Sequence, residues 1–208
     1  MRSKSVKLPI HRVSMNLKVK EIFYSLQGEG GRQGEASIFV RLSGCNLRCD
    51  FCDTEHSDGV VMSWNQILKQ IRQYPCRWIV WTGGEPAMQL TEECLMFFKR
   101  AGYLQAIESN GHYPLSPLFG YTVVSPKGKA DYAKIINPEV KEVRLPVRQN
   151  DIIPPFELLP VAKYHFLSPI FTDNPAETKA NIDYCVEYIK QNPQWRLSLQ
   201  MHKLTGIE

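Results

Sequence analysis

At 208 residues and 23.9 kDa, the chain has the length of one ordinary domain. With 43% hydrophobic and 22% charged residues, its composition excludes disordered and fibrous classes, and a formal net charge of +4 spread along the chain gives no ground for nucleic-acid binding. No apolar run approaches the ~20 residues of a membrane span, and the basic start MRSKSVKLPIHRVSMNLKVK lacks a signal peptide's apolar core, so a soluble cytoplasmic protein is expected.

Residues 1–16 read as a disordered extension ahead of a single domain over 17–208. LKVKEIFYS (Leu17–Ser25) and SIFVRLS (Ser37–Ser43) carry the alternation of strands. Between them QGEGGRQGEA forms a glycine-rich loop that a ligand could approach closely. Ser63 reads as a helix N-cap with Gln66 three residues on, and Trp64, Ile67, Leu68 and Ile71 give the i, i+3, i+4, i+7 stripe of an amphipathic helix. RWIVWT (Arg77–Thr82) is a strand apolar on both faces, followed by the turn GGEP and a helix over 91–101. Strands are then expected at Leu104–Ser109, Tyr121–Ser125, Glu142–Val147 and Lys163–Ser168. Asn174-Pro175 opens a long helix whose buried face is read as Ile182, Cys185, Val186 and Ile189, and Trp195–Gln200 is a last strand. Strands alternate with helices, but helices follow only some strands. The class is α/β, an incomplete, shortened (β/α) barrel with a mainly parallel sheet.

Cysteines carry the chemistry. Cys45, Cys49 and Cys52 form a C-x3-C-x2-C loop directly after a strand, while Cys76, Cys94 and Cys185 stand alone in apolar surroundings and read as packing residues. Three soft thiolates suit an iron–sulfur cluster with one iron left for a non-protein ligand, or a zinc ion with His56 as fourth ligand. WTGGEPAMQ (Trp81–Gln89) puts Gly-Gly-Glu-Pro at the carboxyl end of a buried strand, where parallel sheets bind ligands, and its two glycines would bare backbone amides and carbonyls there.

The cysteine loop, with Phe51 before the third cysteine, and GGEP together resemble the radical S-adenosylmethionine superfamily. Within it, YSLQGEG (Tyr24–Gly30), FVRLSGCNLRCDFCDT (Phe39–Thr54), WTGGEP (Trp81–Pro86), ESNG (Glu108–Gly111), VSPK (Val124–Lys127) and LQMHK (Leu199–Lys203) resemble the 7-carboxy-7-deazaguanine synthases. That resemblance implies a carbon–nitrogen lyase that rearranges 6-carboxytetrahydropterin with loss of ammonia, in queuosine and 7-deazapurine synthesis. It also implies one 4Fe–4S cluster, S-adenosylmethionine, Mg2+, a flavodoxin- or ferredoxin-type electron donor and a homodimer. Cys45, Cys49 and Cys52 would hold the cluster, and Thr54 the magnesium. Leu26, Gln27, Gly28, Glu29, Arg41 and Thr82 would bind the pterin, with Arg41 gripping its carboxylate. Phe51, Cys52, Asp53, Gly84, Ser109, Ser125, Pro126 and Lys127 would bind S-adenosylmethionine.

Read from the residues alone, Arg41 is a solvated edge charge, Thr54 and Ser125 are turn residues, Glu108 is a structural acid, and His202 and Lys203 belong to a solvated tail. Ser168 stands where relatives often carry Gln, and the sequence ends in Gly206-Ile207-Glu208 rather than proline. Neither a cofactor contact at Ser168 nor a substrate contact from the terminal carboxylate is therefore carried over. Two other readings of the cysteine loop are a glycyl-radical-enzyme activase and a non-catalytic zinc-binding module.

Overall fold

A computed structural model describes residues 15–128 and 132–207. The extension expected over 1–16 lies outside the described residues up to position 14, and strand pairing already begins at Asn16. Among the described residues, nine strands form one open sheet: β1 (Asn16–Leu26), β2 (Ala36–Leu42), β3 (Val60–Ser63), β4 (Trp78–Gly83), β5 (Leu104–Ser109), β6 (Tyr121–Val124), β7 (Glu139–Val147), β8 (Val161–Pro169) and β9 (Arg196–Leu197). Their order is β3-β1-β2-β4-β5-β6-β7-β8-β9. The β1–β2 and β1–β3 pairs are antiparallel, and every pair from β2 to β9 is parallel. The sheet does not close on itself, so the incomplete barrel expected from the helix-poor sequence is what forms.

Alternation along the strands divides the sheet into two chemically different faces. Ile38, Val40 and Leu42 of β2, Ile79 and Trp81 of β4 and Ile107 of β5 lie under the helices α1 (Trp64–Ile71) and α2 (Glu92–Arg100). Val143, Leu145 and Val147 of β7 pack toward α3 (Pro175–Gln191). Removing each such side chain from water contributes on the order of 1.5–3 kcal/mol. Near one end, the opposite face holds a small apolar cluster of Phe39, Val80 and Ala106. One pleat further toward the carboxyl ends, the same face carries Arg41, Thr82 and Glu108, and Arg41 and Thr82 are register partners. Polar chemistry therefore collects at one end of one face.

Local signals set the helix ends. Ser63 caps α1 in a reciprocal capping box with Gln66, and Thr91 and Asn174 cap α2 and α3 through their side chains. Two expectations need correction. The buried face of α3 centres on Asn181 and Cys185, with Tyr184, Tyr188 and Ile189 packed on the core, whereas Ile182 and Val186 are half-buried beside it. Asn181 earns that place by bonding the Ile170 carbonyl and the Gln149 amide. The last strand is only Arg196–Leu197, and LQMHK instead runs into a short helix, α4 (Met201–Thr205). Strand β3, four residues pairing with β1, carries too little pattern to be seen in the sequence.

Candidate active site

The cysteine loop leaves β2 and is fastened to the turn after β4. Gly84 donates its amide to Leu42 O at 3.0 Å and Glu85 donates to Gly44 O at 2.9 Å, which extends the β2–β4 pairing to the residue before Cys45. The Gly84 amide is therefore spent on the base of the cysteine loop, while Gly83 and Gly84 both line the chamber beside it. The close approach explains both glycines: a Cβ on Gly83 would lie 2.1 Å from Leu42 O, and one on Gly84 would lie 2.0 Å from Gly44 O. Buried Glu85 accepts the Ala87 and Asn110 amides at 3.0 and 2.7 Å. The Asn110 side chain then donates to Asn46 Oδ1 at 2.8 Å, inside the cysteine loop. Burial pushes the Glu85 carboxyl above its usual range against these donors.

Cys45, Cys49 and Cys52 line a cavity of about 210 Å3 together with Phe51, Asp53, Gly84, Ser109, Ser125 and Lys127. None of the three is in a disulfide; Cys52 is exposed and the other two half-buried. Burial raises the Cys45 thiol above its ordinary value, although its sulfur accepts the Leu47 amide at 3.4 Å. Among the described residues, no group of three or more Cys, His, Asp or Glu side chains is gathered closely enough to hold a metal ion as it stands. The three cysteines line one chamber together.

A second cavity of about 430 Å3 adjoins the first and shares Glu29, Asp53, Thr54, Thr82, Glu108, Gln200 and Lys203 with it. Leu26, Gln27, Gly28 and Arg41 line this second chamber. Arg41 gives its Nε to Glu21 at 2.6 Å, and its Nη1 donates to Thr54 Oγ1 at 3.4 Å. Thr54 Oγ1 donates in turn to Asp53 Oδ1 at 3.4 Å. Thr82 donates to Glu108 Oε2 at 3.5 Å, at the junction of the two chambers.

The glycine loop is held from below and from the side. Gly31 donates to Glu142 Oε2 at 2.9 Å and Gly30 to Ser198 Oγ at 3.0 Å. Gly30 has φ +69°, and a Cβ there would collide with the Glu142 carboxylate. Met201 donates to Gly28 O at 3.0 Å, so α4 docks on the loop, and Lys203 reaches Asp53 at 2.6 Å. The tail read as solvated by composition is part of the wall.

Comparison with known proteins agrees with this geometry. Residues 39–137 match the Radical SAM superfamily. The 7-carboxy-7-deazaguanine synthase of Bacteroides thetaiotaomicron is 39% identical over 93% of this chain and 100% of its own, and that of Haemophilus influenzae is 38% identical over 95% and 97%. The chain belongs to the 7-carboxy-7-deazaguanine synthase family. The crystal structure of QueE from Escherichia coli shares the fold, with a TM-score of 0.69 at 24% identity over 91% of this chain and 96% of that one.

The chemistry of the donor set fits the cofactors this family carries, a 4Fe–4S cluster and S-adenosylmethionine. Three cysteine side chains outside any disulfide line one chamber together with Ser125 and Lys127, whose Nζ lies 2.9 Å from Ser125 Oγ. Of the residues that resemblance to the 7-carboxy-7-deazaguanine synthases singled out, Pro126 alone lines neither chamber. It is buried behind Ser125, whose amide bonds Ser109 O at 2.8 Å, and it serves to turn the chain.

Sequence reasoning missed Arg144, Glu142, Asn46 and Asn110. Arg144 is buried, with Nη1 at 2.6 Å from Glu29 and 3.3 Å from Glu108, and Nη2 at 2.8 Å from Glu142. Burial opposes its charge, but the three carboxylates outweigh that and hold its pKa above the ordinary value. The same cation holds the Glu108 carboxyl below the usual range against the cost of burial. The available signal was Glu142-Val-Arg144 on a strand, two charges on one face between apolar residues.

Proposed function

We propose that this chain converts 6-carboxytetrahydropterin to 7-carboxy-7-deazaguanine, with loss of ammonia. The observation that carries the reading is the junction: a thiol-lined chamber opens onto a chamber with Arg41 on its wall through Thr82 and Glu108. When bound, the cluster and S-adenosylmethionine would supply radical chemistry at a substrate C–H bond. The chain binds, orients and encloses. Cys45, Cys49 and Cys52 hold the cluster, while Gly84, Ser109, Ser125 and Lys127 line the chamber for S-adenosylmethionine. The backbone of Phe51–Asp53 lines the adenine.

Arg41, on the lining of the second chamber, receives the substrate carboxylate, for which a planar fork is suited. Leu26, Gln27, Gly28, Glu29 and Thr82 contact the pterin. Thr54 offers its hydroxyl to a Mg2+ ion whose other ligands are substrate oxygens and water, the hard set magnesium prefers. Electrons come from a flavodoxin- or ferredoxin-type donor, and the active form is a cytoplasmic homodimer serving queuosine or another 7-deazapurine. No helix among the described residues is long and apolar enough to cross a membrane.

Anaerobic turnover tests the reading. Cluster-loaded protein with 6-carboxytetrahydropterin, S-adenosylmethionine, Mg2+ and a reductant should yield the deazaguanine chromophore and one ammonia per product. Protein that carries the cluster and cleaves S-adenosylmethionine but leaves the pterin unchanged would overturn it.

A further inference from the structure

Arg144 lines the first chamber, yet its guanidinium is committed almost wholly to protein. Nε and Nη2 both lie on Glu142 Oε1, at 2.9 and 2.8 Å, while Nη1 donates to Glu29 Oε2 and Glu108 Oε1. Glu142 is fixed in turn, since its other oxygen accepts the Gly31 amide at 2.9 Å and the Tyr121 hydroxyl at 2.8 Å. Behind the chamber wall therefore runs a chain from Tyr121 and Gly31 through Glu142 to Arg144. It ends on two carboxylates that face the chamber, Glu29 and Glu108.

What those carboxylates keep free matters. Glu29 Oε1 accepts Ser168 Oγ at 3.1 Å and Oε2 takes Arg144. Glu108 Oε1 takes Gln27 Nε2 at 3.0 Å and Arg144 at 3.3 Å, leaving Oε2 with only a long 3.5 Å contact from Thr82. Glu108, whose Oε2 has spare lone pairs, lines the same chamber as Arg41 of β2 and Lys20 and Lys203. A reduced pterin has matching ends: a carboxylate at one, and an edge of adjacent N–H donors on its pyrimidinone ring at the other.

We infer that Arg144 is a positioning residue, which keeps Glu29 and Glu108 anionic and fixed in direction so that they accept the N–H donors of the pterin while Arg41 holds its carboxylate. This rests on the reading of the chamber as a pterin site. Without the arginine, Glu29, Glu108 and Glu142 would face one another as like charges, and one would take up a proton nearer neutrality. Tyr121, Tyr164 and Lys127 act on this cluster, and Arg41, Asp53, His56, His202 and Lys203 line the chambers that Glu29 and Glu108 face. Tyr121 stays a neutral donor, its pKa raised by burial and by Glu142, and Lys127 adds a cation on the Glu108 side.

The experiment measures equilibrium binding of 6-carboxytetrahydropterin and, separately, of S-adenosylmethionine to cluster-loaded parent, Arg144→Met and Arg144→Lys, together with iron content. In Arg144→Met the pterin dissociation constant should rise at least about tenfold, with S-adenosylmethionine binding and iron within about twofold of the parent. It should also recover partly as pH rises from about 6 to about 8, where the parent is flat. Arg144→Lys, which keeps the charge but not the fork, should fall between the two. If Arg144→Met binds the pterin like the parent, or loses both ligands and iron equally, the positioning role is overturned. If the methionine variant does not fold, the lysine variant decides in the same way, and failure of both to fold assigns the arginine to stability alone. A parent that binds no pterin removes the underlying reading, and the inference with it.

Discussion

Residues of the same type divide by environment. Cys94 and Cys185 are fully buried among apolar neighbours, and burial pushes each thiol up to about 12, so neither offers a thiolate near neutrality. Cys76 is buried with its sulfur on Ala36 O at 3.1 Å. Replacing Cys45, Cys49 or Cys52 by Ala should abolish iron retention after anaerobic reconstitution. Cys76→Ala, Cys94→Ala and Cys185→Ala should keep iron and lose only stability, about 1–2 kcal/mol each. Iron and sulfide analysis reads both outcomes. Arg41 is subtler, being 24% exposed and already paired with half-exposed Glu21. Its removal should weaken pterin binding about tenfold, less than a wholly buried pair would give, with S-adenosylmethionine binding unchanged. Thr54→Ala should reduce turnover and flatten its response to added Mg2+ at normal iron content, while Thr54→Ser keeps most of both; a response like the parent's would return Thr54 to a turn role. These positions could be read from sequence because each sits beside a motif. Arg144 could not, because two of the three carboxylates it binds, Glu29 and Glu108, lie on segments distant in sequence.

Among the elements, those whose signals are local were legible and those that depend on partners were not. The capping box at Ser63, the asparagine cap at Asn174 and the doubly buried run of β4 are written in consecutive residues, and each forms where expected. Strand β3 is held by pairing with β1, and α4 by docking on Gly28, which single-sequence periodicity does not register. GGEP lies between these cases. Its presence marked a ligand-binding strand end, but its physical task is to let β4 approach the base of the cysteine loop. Gly84→Ala tests that task, since the added methyl would meet backbone at Gly44 O and Cys45 N rather than a side chain that could move aside. The loop should be displaced with all three cysteines present, so iron retention should fall severalfold while the helical signal of the folded chain persists. Full iron retention in this variant would show that the loop finds its place without the turn.

Over the whole molecule, the sheet brings its two ends to one site: β1 and β2 deliver the glycine and cysteine loops, and the segment after β9 returns across them. Gln200 and Lys203 both bond Asp53 Oδ2, at 3.2 and 2.6 Å, Met201 holds Gly28 O, and His202 stands where a Cβ on Gly28 would be. Sheet pairing ends at Leu197, so a chain stopped after Ser198 keeps every strand and loses only this clasp. It should therefore retain iron and most of its thermal stability, yet bind the pterin at least about tenfold more weakly, because the loop carrying Leu26 to Glu29 is no longer pinned. The Lys203 contact also fixes the pH dependence. Burial raises the Asp53 carboxyl, but Lys203 and Gln200 outweigh that and hold it below the usual range. A lowered carboxylate pKa stabilises the clasp above the ordinary value of about 3.9, and that stabilisation is lost only as pH falls through the lower folded value. Across about pH 6 to 8 the clasp should stay closed, and the full chain and Lys203→Ala should differ by a constant factor in pterin affinity. Because the Lys203–Asp53 pair is only partly shielded, that factor should shrink in high salt. A truncated chain that binds the pterin as tightly as the full one would remove the tail from the site.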